Sequence, residues 1–167
     1  MEHIHATLRA GMTRAISEVL EGMAFMPVEE LPNKGTETKI SRENLLCVSL
    51  LVHEPVQWEF KLFMPRNLLE EMGEAVYAAP REALAESSLR DLLFEILNTA
   101  AGRFLSEVLV DNQEFSLGLP EPCDYDNSIA DDPLMEWHFE AGDNIFAVTV
   151  LGTLADNLTD LVRPGTE

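Results

Sequence analysis

The sequence predicts a single mixed α/β (α+β) domain built from two similar halves. Three observations carry that expectation. The 167 residues suit one domain, since domains of roughly 100–200 residues are usual. Apolar residues make up 46% of the chain, close to the roughly 45–50% of ordinary globular proteins, so a real core can form. Segments of helical and strand periodicity follow in the order helix, strands, helix, then helix, strands, helix.

Residues 6–25 open the chain as a helix. Leu8, Met12, Ala15, Ile16, Val19, Leu20 and Met23 recur at the spacings of one helix face,. Pro27, Pro32, Asn33 and Gly35 punctuate a connection over residues 26–43, with room for a short edge strand,. Leu45–Val52 is rich in apolar and β-branched residues and reads as a buried strand. Gln57–Met64 follows, with Trp58, Phe60, Leu62 and Met64 alternating against Glu59 and Lys61,. His53, Glu54 and Pro55 suit the hairpin between these strands. A second, shorter helix over 66–79 carries Leu68, Leu69, Met72, Val76 and Tyr77, and Pro80 stops it,.

The second half opens on a long helix over Ser87–Val110, where Ser88 and Asp91 have the spacing of a loose capping box,. Pro120 and Pro122 enforce a loop, and Asp124–Asp132 is acidic and turn-rich. Met135–Glu140 and Asn144–Leu151 read as two strands, and Leu154–Val162 as a closing helix. The halves thus run over about 6–80 and 87–162. An offset of 77 lays the two long helices over each other, with Met12 on Leu89, Ile16 on Leu93, Val19 on Ile96 and Glu18 on Glu95,. Any two amphipathic helices can be slid until their apolar stripes coincide. The coincident glutamates and the repeated order of elements go beyond that.

Thirty acidic against eleven basic residues give a formal net charge of −19. Such a surface repels phosphate backbones and anionic lipid, so neither nucleic acid nor membrane is expected as a partner. The longest apolar stretch, Leu45–Val52, is far short of the roughly 17–25 residues a membrane helix needs,. No secretory signal is visible at the N-terminus, which points to a cytoplasmic protein. Cys47 and Cys123 stand 76 positions apart with no CxxC pattern. They are expected as two reduced cysteines, with no disulfide framework and no zinc site.

One stripe of the second long helix is unusual. Leu89, Leu92, Leu93, Ile96, Leu97, Ala100 and Phe104 share its apolar face,. Asp91, Glu95, Asn98 and Gly102 lie nearly opposite at i, i+4, i+7 and i+11, a straight polar stripe,. Asn is a poor helix-interior residue because its amide competes with the backbone. It stands near Thr99, Ala101 and Gly102, small residues that leave room for another surface. An ordinary solvated face would carry Lys, Glu and Gln instead, and that bland reading has the larger share of such stripes. The functional reading rests on chemistry. A carboxamide donates and accepts at once and can orient a water, while a carboxylate one turn away can pair with a partner's cation. No nucleophile stands beside them, and the Glu-x-x-His repeat of di-iron sites is missing.

At these residues the chain resembles the CheC/CheX/FliY phosphatases of bacterial chemotaxis. Their signature is Asp or Ser, three residues, Glu, two residues, Asn, then about 22 residues and Pro. Asp91, Glu95 and Asn98 match it, and Pro120 follows after 21 intervening residues. Pro122, after 23, fits equally well, and the choice stays open. The resemblance implies a CheC-like fold in which an antiparallel sheet carries two long antiparallel helices on one face, and a homodimer. It implies a phosphatase that hydrolyses the phosphoaspartate of a CheY-like response regulator in chemotaxis or two-component signalling. Glu95 and Asn98 would be catalytic, Glu95 pairing with the receiver's lysine and Asn98 orienting the attacking water. Asp91, Gly102 and Pro120 would contribute to binding. No cofactor would be bound by this chain, the receiver supplying its own magnesium ion. In the first half Glu21 stands where the signature needs Asn, so one active site per chain is expected, the CheX-like pattern. The alternative is a non-catalytic module of the same fold that scaffolds or sequesters a receiver.

Other features read blandly. Asp124, Asp126, Ser128, Asp131 and Asp132 have a faint calcium-loop look but lack its glycine and closing glutamate,. No metal site is expected there. His3, His5, His53 and His138 are scattered, and His138 is expected on an exposed strand face. Met23, Ala24, Phe25 and Met26 are expected in the core, as are Trp58 and Trp137.

Overall fold

The computed structural model describes residues 1–33, 40, 42–124 and 132–165. Helix α1 (Glu2–Ala24) buries Leu8, Met12, Ala15, Ile16, Val19 and Leu20, the stripe its periodicity predicts. It ends where Phe25 turns left-handed, at φ 54°, and donates its amide back to the Glu21 carbonyl. That turn throws the Phe25 side chain into solvent, 85% exposed. The expectation that all of Met23–Met26 is core is corrected there: Ala24 is buried and the two methionines pack only partly on the core.

A short strand β1 (Glu29–Leu31) precedes the hairpin of β2 (Leu45–Glu54) and β3 (Trp58–Pro65). Helix α2 (Arg66–Tyr77) follows directly, and a 3₁₀ turn (Arg81–Ala83) leads into α3 (Glu86–Val108). Two short strands, β4 (Ser116–Leu117) and β5 (Glu121–Cys123), come next. The second hairpin is β6 (Met135–Ala141) and β7 (Asn144–Gly152), and a single helical turn, α4 (Leu158–Leu161), closes the fold.

All pairs are antiparallel, in the order β1-β6-β7-β3-β2-β4, with β5 also paired to β2. The arrangement is reciprocal. The strand after α1 pairs with the second hairpin, and the strands after α3 pair with the first. Side chains alternate across the sheet, so Val48, Leu50, Val52, Trp58, Phe60, Leu62, Trp137, Phe139, Phe146, Val148 and Val150 form one fully buried face,. The long helices lie on it. Phe104 of α3 meets Phe60 and Trp137 edge-on, at 5.6 and 6.4 Å between ring centres. The Trp137 indole N–H donates to the Arg9 carbonyl of α1 at 3.2 Å. Both tryptophans are core residues, as expected. Each such buried side chain contributes roughly 1.5–3 kcal/mol.

The two long helices run antiparallel, since Arg14 pairs with Glu107 and Glu18 with Arg103. They approach closely at Gly11, where a Cβ would collide with a methyl of Val108.

Four further expectations are corrected. The closing helix shrinks to one turn because its flanks bond elsewhere: Val110 N–H donates to Leu161 O, Arg163 N–H donates to Val108 O, and Leu109 bridges Val162. The loose capping box does not form. Helix α3 starts two residues before Ser88, and Glu86 pairs with Arg66. His138 is buried, at 1% exposure, because Asn33 folds over the outer face of β6. Asn33 donates to the Glu136 carbonyl at 2.8 Å and its Oδ1 lies 3.0 Å from His138 Nδ1. Finally, Cys47 and Cys123 are not free thiols. The β2–β5 register sets them directly opposite, and they are joined as a disulfide. Separation along the chain carried no sign of this, because only the sheet brings β5 back to β2. Asp126, Ser128 and Asp131 of the acidic segment lie outside the described residues.

Candidate active site

Helix α3 is anchored along most of its length. Leu89, Leu92, Leu93, Ile96, Leu97, Ala100, Ala101, Phe104 and Leu105 are buried beneath it. The opposite stripe is therefore presented on a rigid support. Asp91, Glu95 and Asn98 are exposed, and Gly102 is half-exposed. The stripe expected from spacing is thus brought together on one open face, its members three and four residues apart and so about 5–6 Å between Cβ atoms.

Each position has its own character. One Glu95 oxygen accepts a hydrogen bond from the Thr99 hydroxyl at 3.1 Å. That contact, one turn on, restrains the carboxylate and leaves its second oxygen open. Asn98 makes no side-chain hydrogen bond among the described residues, so its amide N–H and carbonyl both face outward. A Cβ at Gly102 would meet nothing within 4 Å. Nothing among the described residues demands glycine there, and the helix tolerates it at a cost of roughly 0.8–1.0 kcal/mol relative to alanine.

The flanks differ. Toward α1, Arg103 donates to Glu18 at 3.0 Å. Glu21 is exposed near the end of α1. Toward the sheet edge, a cleft of about 310 Å³ opens between α3 and β5, lined by Arg90, Leu93 and Phe94 on one side and by Pro122 and Cys123 on the other. Of the two prolines, Pro122 is the one beside α3. Pro120 immediately precedes β5 and is not among the residues lining this cleft. Thr99, Arg90 and Phe94 are neighbours that the motif did not single out. The i, i+4 spacing of Glu95 and Thr99 was the only available signal.

Among the described residues, no group of three or more His, Cys, Asp or Glu is placed to hold a metal ion. No described helix is long and apolar enough to cross a membrane. The site can orient and pair by hydrogen bonds and charge, and it offers no nucleophile of its own.

No protein-family model matches the chain, and no curated protein matches it in sequence. Solved structures do. The fold is that of the CheC-like proteins. Among them, a chemotaxis protein CheX from Vibrio vulnificus superposes with a TM-score of 0.66 at 14% identity, covering 86% of this chain and 95% of that one. CheX from Borrelia burgdorferi, in a complex with CheY, BeF3 and magnesium, gives 0.62 at 13% identity over 85% and 95%. FliY from Thermotoga maritima gives 0.55 at 17% identity over 90% and 87%.

Proposed function

We propose that this protein is a CheX-like phosphatase that hydrolyses the phosphoaspartate of a CheY-like response regulator. The observation that carries the reading is the pairing of Glu95 and Asn98. They stand exposed one turn apart on a helix whose opposite face is buried, with open space at Gly102 for an approaching surface. The complex of the Borrelia CheX with CheY supports the choice of partner.

The chemistry suits such a site. An acyl phosphate is already activated, so the main task is to hold a water in line with the phosphorus. Positioning of that kind lowers a barrier by several kcal/mol without a nucleophile or an unusual proton affinity. Asn98 accepts from the water through its carbonyl, and its N–H₂ can donate toward a phosphoryl oxygen. Glu95, held by Thr99, pairs its free oxygen with the receiver's lysine and sets the register of the two proteins. The receiver carries its own magnesium ion. Asp91 and Gly102 border the contact. The protein acts in the cytoplasm, where receivers are found, and as a homodimer with one site per chain.

The test is the decay of a phosphorylated receiver with and without this protein. Acceleration that disappears in Asn98→Ala supports the reading. Decay unchanged by wild-type protein, with binding retained, assigns the chain to the non-catalytic class.

A further inference from the structure

We propose that Cys47 and Cys123 form a reversible thiol–disulfide site that clasps β5 to the sheet edge beside α3. The inference is independent of the reading of Glu95 and Asn98.

The two residues are the only cysteines of the chain. They are register partners across β2 and β5, with Cα atoms 5.1 Å apart, so the backbone holds them ready to bond. The strand that benefits is weak by itself. β5 has three residues, and β2 is its sheet partner. Its central residue, Pro122, stands opposite Val48 with its nitrogen turned away from β2, so only Glu121 and Cys123 can donate to the ladder,. So short a strand makes few ladder bonds, and the covalent link adds to what they supply. The link also closes 76 positions of chain, which restricts the unfolded ensemble strongly.

The bond is also reachable. Both cysteines border the cleft and pack with Phe63 on the outer face of the sheet, but Cys47 is buried, at 6% exposure, whereas Cys123 is half-exposed. Cys123 is therefore the entry point for a small disulfide such as oxidised glutathione. Its thiolate attacks one sulfur of that disulfide, forms a mixed disulfide and expels one thiolate. The Cys47 thiolate then attacks the Cys123 sulfur and expels the second. The two cysteines lose two electrons and two protons, and the small disulfide gains both to become two thiols. Reduction by a dithiol runs the same steps backward from Cys123. Closing the bond fixes Pro122 against the α3 side of the cleft, and opening it frees β5 from the edge of β2.

The experiment uses the full chain in buffers of reduced and oxidised glutathione of graded ratio. Thiols are counted by alkylation and intact mass, and amide hydrogen exchange is followed over β5 and α3. The expected result is a two-thiol transition within the glutathione range. With it, β5 amides should lose protection at least tenfold on reduction while α3 amides stay unchanged. The Cys47→Ser, Cys123→Ser double variant should match the reduced protein at every ratio. Two free thiols throughout, a bond that native protein never releases, or β5 protection that ignores the thiol count would each overturn the proposal.

Discussion

Glu18 of α1 and Arg103 of α3 form an ion pair at 3.0 Å across the seam of the two long helices. Glu18 is the residue that falls on Glu95 when the two helices are laid over each other. In one helix the glutamate is bound to a neighbouring arginine, and in the other it is presented to solvent. Both partners of the pair are about half exposed, which places its worth at roughly 0.2–1 kcal/mol. Glu18→Ala together with Glu21→Ala is therefore expected to leave receiver dephosphorylation nearly unchanged and stability lower by about 1 kcal/mol at most. Turnover and denaturant midpoints are the two readouts. A loss of turnover as deep as that of Asn98→Ala, in folded protein, would make both halves catalytic.

Asn98→Ala removes the only amide of the exposed stripe. Alanine is a better helix residue and the side chain is exposed, so stability should hold or rise slightly,. Turnover should fall by roughly a hundredfold or more, the scale of a lost positioning group. Circular dichroism and receiver decay, measured on the same preparation, check both halves of the expectation.

Glu95→Gln keeps size and removes charge. If Glu95 meets a lysine, the variant should process the receiver more slowly, and the gap to wild type should narrow as salt screens the wild-type pair. Steady-state rates at low and high ionic strength decide it. Equal rates for both proteins at both salts would leave no charge-pairing role.

Gly102→Leu separates folding from docking. A Cβ there meets nothing within 4 Å among the described residues, and replacing a helical glycine should stabilise the fold by a few tenths to about 1 kcal/mol. The same bulk should obstruct an approaching receiver. Raised thermal midpoint with lost receiver processing is the expected pair of results. Unimpaired processing would move the contact away from this end of α3.

Acid sensitivity should show at Glu136. His138 Nε2 lies 3.1 Å from its carboxylate. That contact holds the Glu136 carboxyl below its ordinary range, against the opposing effect of partial burial. A lowered folded-state value means the unfolded chain takes up the proton first. The stabilisation is then complete above the unfolded glutamate value, about 4.3, and is lost as pH falls through the lower folded value. Denaturation midpoints across the acid limb should therefore fall less steeply in Glu136→Gln than in wild type.

Much of this was legible in the chain itself. Periodicity placed both long helices, both hairpins and the α2 helix within a few residues, because an element that packs on one core must repeat its apolar residues at its own pitch. The Asp91, Glu95, Asn98 stripe was legible for the same reason: a helix with one buried face fixes which residues remain outside. What only the tertiary structure decided depends on contacts between distant segments. Cys123 meets Cys47 because β5 returns to the edge of β2. His138 is buried because Asn33, after β1, covers the outer face of β6. Pro122 lines the cleft with residues of α3 because β5 pairs with β2. The last helix stops at one turn because Val108, Val110 and Leu109 claim its neighbours' backbone groups. Local sequence determines a segment's period and faces, but pairing across the sheet selects among partners that no local pattern encodes.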